Sequence, residues 1–376
     1  MLEKKRRKSV RIWRNDMSLQ AAELMEELLA ETRRVLSSGK YVLGGQLAEF
    51  ESAFSKYHDI PFTVGVASGT EALYLALKAV GVGEGAEVIT TPFTFIGTVT
   101  AIRMCNAKPV FVDIDPSTYN IKVSAIEPLI SKKTKAIMPV HLYGRIAAMN
   151  EIGELAKKYS IPIVEDAAQA HGSLYHGKKA GTFGHLAAFS FYPSKNLGAY
   201  GDAGAITTDN EEMHRRLKLM RNYGQETVYE QVMDGVNSRL DELQAAFLTV
   251  KLKHLDKWNL QRRKIADLYR NELPSEYCVL PEESPFEVNN YHVYVIRVQK
   301  RERLVEFLES RGIQTNIYYP KPLHLQIPNQ DLGYKLGDFP ESERASKEVL
   351  ALPMYAEMPE TVVHDVAGAI RDFYLG

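Results

Sequence analysis

Residues 63–80, TVGVASGTEALYLALKAV, pass without a break from a run of strand-forming residues into one whose apolar side chains recur at helical spacing. The same alternation continues downstream. Apolar runs EVITT (87–91), PVFVDI (109–114), KAIMPV (135–140) and IPIVED (161–166) are separated by helical stretches such as EIGELAKKY (151–159). LAAFSF (186–191) and AGAITT (203–208) extend the series. A strand-then-helix rhythm of this kind predicts a mainly parallel sheet wrapped by helices, the α/β class. The glycines of GVGEGA (81–86) follow a helix rather than a strand, so they read as a helix C-cap and turn, not as a dinucleotide loop.

On the N-terminal side, Leu19, Ala22, Met25, Leu28 and Leu29 recur at threes and fours until Ser37, Ser38 and Gly39 end the run, and QLAEFESAFSKY (46–57) forms a second helix. On the C-terminal side the rhythm changes. SRLDELQAAFLTVKLKHLDKWNLQRRKIADLYRNEL, before Pro274, reads as one or two long amphipathic helices forming a spine. Beyond it YHVYVIRV, a helix near 300–310, IQTNIYY and a helix from Glu341 toward Leu350 make a smaller α/β unit. The expected division is a basic arm over 1–16, a large domain over 17–250 and a small domain over 251–376, with the spine across the boundary.

At 376 residues the chain is long enough for two domains with their own cores. Its 46 basic and 47 acidic side chains leave no global positive field to recruit nucleic acid or an anionic membrane. Two cysteines, Cys105 and Cys278, are too few for a disulfide framework, a four-thiolate zinc site or an iron–sulfur cluster, and no metal is expected. No run approaches the roughly 18 apolar residues of a membrane span. The opening MLEKKRRKSVRIWRND lacks the apolar core of a signal peptide, so a cytoplasmic location is expected, with the arm solvated.

In open parallel sheets ligands bind at the carboxyl ends of the strands. Three such junctions carry chemistry. Ser68-Gly69-Thr70 stands between a strand and a helix; with Glu71 it has the form of a capping box, and its amides could equally cradle a phosphate. In IPIVEDAAQAHG a buried strand ends in Glu165 and Asp166, where a carboxylate either caps the next helix or stabilises a positive charge on a ligand. In FSFYPSKNLGAYGDAGAITT, Lys195 lies among Ser190, Tyr192, Pro193 and Ser194 and precedes Gly198, Gly201 and Gly204. Lys195 is either an ordinary solvated lysine or, desolvated in so sharply turning a loop, one whose depressed pKa allows it to form a Schiff base. Phosphate cradle, acid and lysine together point to pyridoxal 5'-phosphate (PLP).

The strings SGTEALYLAL, TPFTFIGTV, VFVDIDPSTYNI, MPVHLYGR, IVEDAAQAHG, FSFYPSKNLGAYGDAGAI, NSRLDELQAAFL and YYPKPLHLQ resemble, in order, the DegT/DnrJ/StrS family of PLP-dependent sugar aminotransferases. The resemblance covers about residues 30–375 and implies the type I aminotransferase fold. It implies that Lys195 is the Schiff-base lysine and the acid–base catalyst. Asp166 would pair with the pyridine nitrogen, Gln169 would contact the ring hydroxyl, Gly69, Thr70 and Ser190 would hold the phosphate, and Phe95 would stack on the ring. Asn237 would reach the phosphate of the neighbouring subunit in a homodimer. Tyr319, Lys321 and His324 would line the substrate site, with His141 and Tyr143 as further pocket candidates. One segment departs from the pattern: the family opens with an apolar, proline-containing stretch, and this chain reads KKRRKSVRIWRNDMS.

The function so implied is transfer of an amino group from glutamate to the keto carbon of a nucleotide-linked deoxysugar. YYPKPLHLQ and NSRLDELQAA look closer to enzymes acting at carbon 3. Alternatives are a 4-keto sugar or an aminocyclitol precursor. A PLP-dependent dehydratase is disfavoured because Lys195 is present and cysteines are few. A non-catalytic regulator is disfavoured because the cofactor residues are intact.

Overall fold

A computed structural model describes residues 11–376. The strand order in the large sheet is Phe62–Val66, Gly204–Thr208, Leu186–Ser190 and Val164–Asp166. Bridges from Ile137 to Ile163 and from Val140 to Asp166 join this set to Thr134–Ile137, Glu87–Thr90 and Lys108–Phe111. All run in one direction except Gly204–Thr208, which is antiparallel to both neighbours. The alternation pattern alone does not foretell that reversal. Its cause is local: residues 191–203 contain no crossover helix, so the chain turns back beside the strand it has just left.

The helices form where the apolar spacing places them. Met25–Ser38 stops at Gly39, whose φ of 65° is a left-handed cap. The predicted spine is two helices, Glu242–Leu252 and Leu255–Glu272. The first buries Ala245, Leu248 and Leu252 against Leu47 and Phe50 of the large-domain core; the second buries Ile265, Ala266 and Tyr269 with Tyr294, Leu304 and Ile370 in the C-terminal core. The C-terminal sheet, Cys278–Val279, Tyr294–Val298 and Val349–Leu352, is antiparallel. The helix expected to run from Glu341 toward Leu350 ends at Glu348, because Val349 begins the strand that pairs with Arg297.

Residues 1–10 of the expected arm lie outside the described residues. Residues 11–16, expected to be solvated, are instead tied to the C-terminal unit. Ile12 is buried, it forms a parallel bridge with Ile313, and its amide and that of Arg11 donate to the carbonyl of Gly312. The apolar Ile12 has a core face to occupy, and that outweighs the basic composition around it.

Glu165 and Asp166 end a strand side by side in sequence and therefore point to opposite faces. Glu165 turns into the fold. Its carboxylate accepts the amides of Gly181 (2.9 Å), Phe183 (2.8 Å) and Gly184 (2.7 Å) and meets His141 Nε2 at 2.9 Å. His141 Nδ1 accepts the Ala147 amide at 3.2 Å, so both ring nitrogens are committed to structure rather than to a pocket. Glu165→Ala leaves three amides and an imidazole without their buried acceptor. A loss on the order of 3 kcal/mol is expected in denaturant unfolding; an unchanged midpoint would show that those groups find other partners.

Candidate active site

The strand ends of the large sheet meet the C-terminal unit around a cavity of about 700 Å³. Eight of the residues singled out by sequence line it: Gly69, Thr70, Phe95, Asp166, Gln169, Ser190, Lys195 and Tyr319.

One wall is the start of helix Gly69–Ala79. Ser68 caps it, its hydroxyl accepting the amide of Glu71 at 3.2 Å, and the carbonyl of Ser68 takes the amide of Ala72 at 2.9 Å. The amides of Gly69 and Thr70 precede these bonds and have no protein partner among the described residues. The expected capping box is only half formed. Glu71 does not reach back to Ser68; its carboxylate accepts the hydroxyl of Ser238 at 2.6 Å instead. Ser190 closes the wall so tightly that a Cβ on Gly69 would lie 2.5 Å from the Cβ of Ser190.

The floor is Asp166. Thr98 donates to Oδ2 at 2.8 Å and the amide of Ala168 to Oδ1 at 3.3 Å, while Thr94 lies 3.1 Å from Thr98, hydroxyl to hydroxyl. Burial raises the Asp166 pKa, and the Thr98 hydroxyl, the Ala168 amide and nearby Lys195 oppose the rise. Burial likewise lowers the Lys195 amine to about 8, against the opposite pull of Asp166. Desolvation thus moves both groups toward neutrality, the lysine strongly enough to make it a nucleophile near physiological pH.

The lysine loop is rigidly held. The amide of Lys195 donates to the carbonyl of Tyr192 at 2.8 Å, and Asn196 donates to Asn259 Oδ1 at 2.8 Å and to the carbonyl of Asn290 at 3.0 Å. Sequence reasoning missed a further support, Lys251. This buried side chain donates to the Gly198 carbonyl and lies over the Tyr200 ring. Burial pushes it down to about 8 as well. Thr98 and Arg14, also on the cavity wall, were likewise missed. Thr98 lies within the TPFTFIGTV string but acts through Asp166, 68 residues away, and Arg14 belongs to the basic segment that departs from the family pattern.

Phe95 is 56% exposed and faces the cavity, so it is not a core aromatic. Gln169 Oε1 accepts the amide of Tyr143 at 2.8 Å, and its Nε2 donates to Tyr319 Oη at 3.3 Å. The remaining expectations are not brought to this cavity. His324 is buried, its Nε2 is 3.0 Å from Glu343 and its ring packs on Phe339, so it braces the fold. Lys321 is exposed beyond Tyr319. Asn237, expected at the neighbouring subunit's site rather than in this cavity, is exposed and pairs through its backbone with Asn222. Tyr143 is buried and its hydroxyl donates to the Tyr318 carbonyl. Among the described residues no cluster of histidine, cysteine or acid side chains suits a metal, and no helix is long and apolar enough to cross a membrane.

Over 97% of its length the chain superimposes on 99% of DesV from S. venezuelae, solved in complex with a ketimine intermediate, with a TM-score of 0.94 at 39% identity. Other similar solved structures hold PLP or its amino form, PMP. Fold and site define a PLP-dependent aminotransferase. Residues 22–371 match the DegT/DnrJ/EryC1/StrS aminotransferase family, and the chain belongs to it. Similar curated relatives include a pleiotropic regulatory protein of Geobacillus stearothermophilus, 44% identical over 96% of this chain and 97% of that one. Another is the dTDP-3-amino-3,6-dideoxy-alpha-D-galactopyranose transaminase of Aneurinibacillus thermoaerophilus, 43% identical over 93% and 95%.

The lowered lysine has a signed consequence. Between pH 7 and 9 the apo-protein should capture PLP faster as pH rises, levelling above about 8, because the neutral amine then dominates. Asp166 holds that pKa up, so Asp166→Asn should move the midpoint to lower pH. Stopped-flow absorbance checks both; an inflection near the ordinary lysine value of about 10.4 would contradict the desolvation argument.

Proposed function

We propose that the enzyme transfers an amino group from glutamate to carbon 3 of a nucleotide-linked 3-keto-deoxysugar. The observation that carries the catalytic part is the buried Asp166 set opposite a Lys195 amine whose pKa is lowered to about 8. The residues present fit PLP. The unpartnered amides of Gly69 and Thr70 at a helix start, with the hydroxyl of Ser190, suit its phosphate. Asp166, held by Thr98, suits the pyridine nitrogen, Gln169 the ring hydroxyl and Phe95 the ring face.

When bound, PLP supplies an electron sink and a carrier for the amino group. The protein does the rest. Lys195 Nζ, poised near neutrality, accepts and returns the proton that moves between cofactor and substrate carbon. Asp166 would offer its carboxylate to the pyridine nitrogen, and Thr98 fixes the orientation of that carboxylate. The Tyr192–Asn196 turn, closed by the Lys195 amide on the Tyr192 carbonyl, anchors the backbone from which Lys195 reaches the cavity.

The substrate class rests on the Aneurinibacillus relative, whose name specifies a dTDP-3-amino sugar, and on the YYPKPLHLQ loop, which enters the cavity through Tyr318 and Tyr319. Lys321, exposed two residues past Tyr319, is the residue this reading assigns to a nucleotide phosphate. The cavity has room for both cofactor and sugar. Offering matched 3-keto and 4-keto nucleotide sugars, and a keto-cyclitol, with nitrogen-labelled glutamate tests the assignment. The 3-keto compound should gain the label; exclusive labelling at position 4, or of the cyclitol, would replace the carbon-3 reading.

The working unit in this reading is a two-fold homodimer. Asn237 sits beside Ser238, which joins Glu71 at the helix start, yet its own side chain faces outward. Next to it Val42 pairs with Asp241, and Tyr41, Val42 and Leu43 are exposed, as are Val228 at 78% and Tyr229 at 88%. Apolar surface of this kind supports burial against a second copy. Mixed dimers of inactive Lys195→Ala and inactive Asn237→Ala chains should regain activity, since one of their two sites is intact. No recovery despite proven subunit exchange would put Asn237 outside the neighbouring site.

A further inference from the structure

The segment that departs from the family pattern enters the cavity. Arg14 is part of its wall, and among the described residues its guanidinium has neither a hydrogen bond nor an ion pair. Its backbone is not loose. The amide of Arg14 donates to Gln314 Oε1 at 3.2 Å, its carbonyl accepts the amide of Met354 at 3.0 Å, and two residues earlier Ile12 is buried and receives the amide of Gln314 at 3.0 Å. Two residues later Asp16 caps the next helix, accepting the amide of Ser18 at 3.0 Å. Arg14 is therefore fixed between two anchors, one in the C-terminal core and one at a helix start.

The same pairing joins the segment of Arg14 to the one that carries Asn316. Gln314 binds Ile12 and Arg14, and Asn316, two residues on, lines the same cavity. The backbone of Asn316 is consumed by Ala351, which leaves its carboxamide unpaired. A permanently charged guanidinium and an amide with two free N–H groups, both lining one cavity, match the oxygens of a carboxylate or a phosphate. The cofactor phosphate already has its own donors across the cavity at Gly69, Thr70 and Ser190. A second anion is thus accommodated on the opposite wall.

We propose that Arg14 and Asn316 form an oxyanion subsite for a reactant, on the wall built by the N-terminal segment and residues 314–319. Two reactants of the proposed reaction carry the right chemistry: the amino donor through a carboxylate, and the nucleotide sugar through its diphosphate. The choice of probes rests on that reading, but the measurements do not require turnover of any sugar.

The PLP-loaded enzyme is titrated in two arms. In the first, L-glutamate alone is added and the cofactor spectrum reports the concentration for half-maximal change. In the second, thymidine diphosphate is added and calorimetry reports its Kd. Arg14→Gln should weaken one arm by about tenfold or more, with Arg14→Lys between it and the wild type. Asn316→Leu should weaken the same arm, and the melting temperatures of all variants should match the wild type. Loss in the glutamate arm identifies the carboxylate as the ligand, and loss in the nucleotide arm the phosphate. Unchanged titrations in Arg14→Gln, or a wild-type holoenzyme indifferent to both probes, would overturn the subsite. If instead no keto sugar accepts nitrogen while either arm responds to Arg14, the substrate reading fails and the subsite stands.

Discussion

The site depends on a contact that leaves no room for a side chain. At the carboxyl edge of the sheet the start of helix Gly69–Ala79 lies directly on the end of strand Leu186–Ser190. A Cβ on Gly69 would meet Ser190 at 2.5 Å, and one on Gly204 would meet the carbonyl carbon and oxygen of Ser68 at 2.4 Å. The helix N-terminus, the strand end and the returning strand are thereby locked at backbone distance. This single junction aims two unpartnered amides into the cavity and also fixes both ends of the loop that carries Lys195. The unpartnered amides and the lysine are therefore not two features that must be aligned separately; they share one crossing.

Desolvation then sets the chemistry. The same loss of water lowers Lys195 and raises Asp166, because in each case it penalises the charged form. The difference lies in what opposes it. Asp166 receives a hydroxyl and an amide in addition to the field of Lys195, so its charge is supported by hydrogen bonds that remain when a cationic ring arrives. Lys195 has only the field of Asp166, and is left as the group that gives up its proton. Two residues in one cavity thus take opposite roles through their hydrogen-bond inventories.

The cofactor end was legible in the sequence for the same physical reason that it is rigid. Ser68-Gly69-Thr70, Asp166 and Lys195 each lie at or within a few residues of the end of an apolar run, so the strand-end rule singles them out, whereas the roles proposed for them, and Gln169 and Phe95 altogether, came only with the family resemblance. What escaped were relations between segments. Nothing in AGAITT signals that it runs antiparallel. Glu71 satisfies the capping-box spacing, but Ser238 takes its carboxylate from a distance of 167 residues. His324 sits in a loop that resembles a substrate loop, but Glu343 and Phe339 claim its ring for the fold. Ile12 is one apolar residue in a basic stretch, and only a completed C-terminal core gives it somewhere to be buried.

The two ends of the cavity differ in how they are made, and that difference bears on how specificity can change. The cofactor end comes from one continuous sheet edge, with backbone amides and a crossing that tolerates no Cβ; substitutions there disturb the fold and the chemistry together. The rest of the wall comes from three separate pieces, Arg14, His292–Val293 and residues 316–319, which meet only when the C-terminal unit is in place. Arg14 and Asn316 are held by their backbones through Met354 and Ala351, respectively, so their side chains can be exchanged without undoing the hydrogen bonds that place them. A fold so divided can keep one transamination apparatus and vary the molecule it acts upon. The departure of the N-terminal segment from the family pattern falls on the half of the cavity where such variation is physically inexpensive.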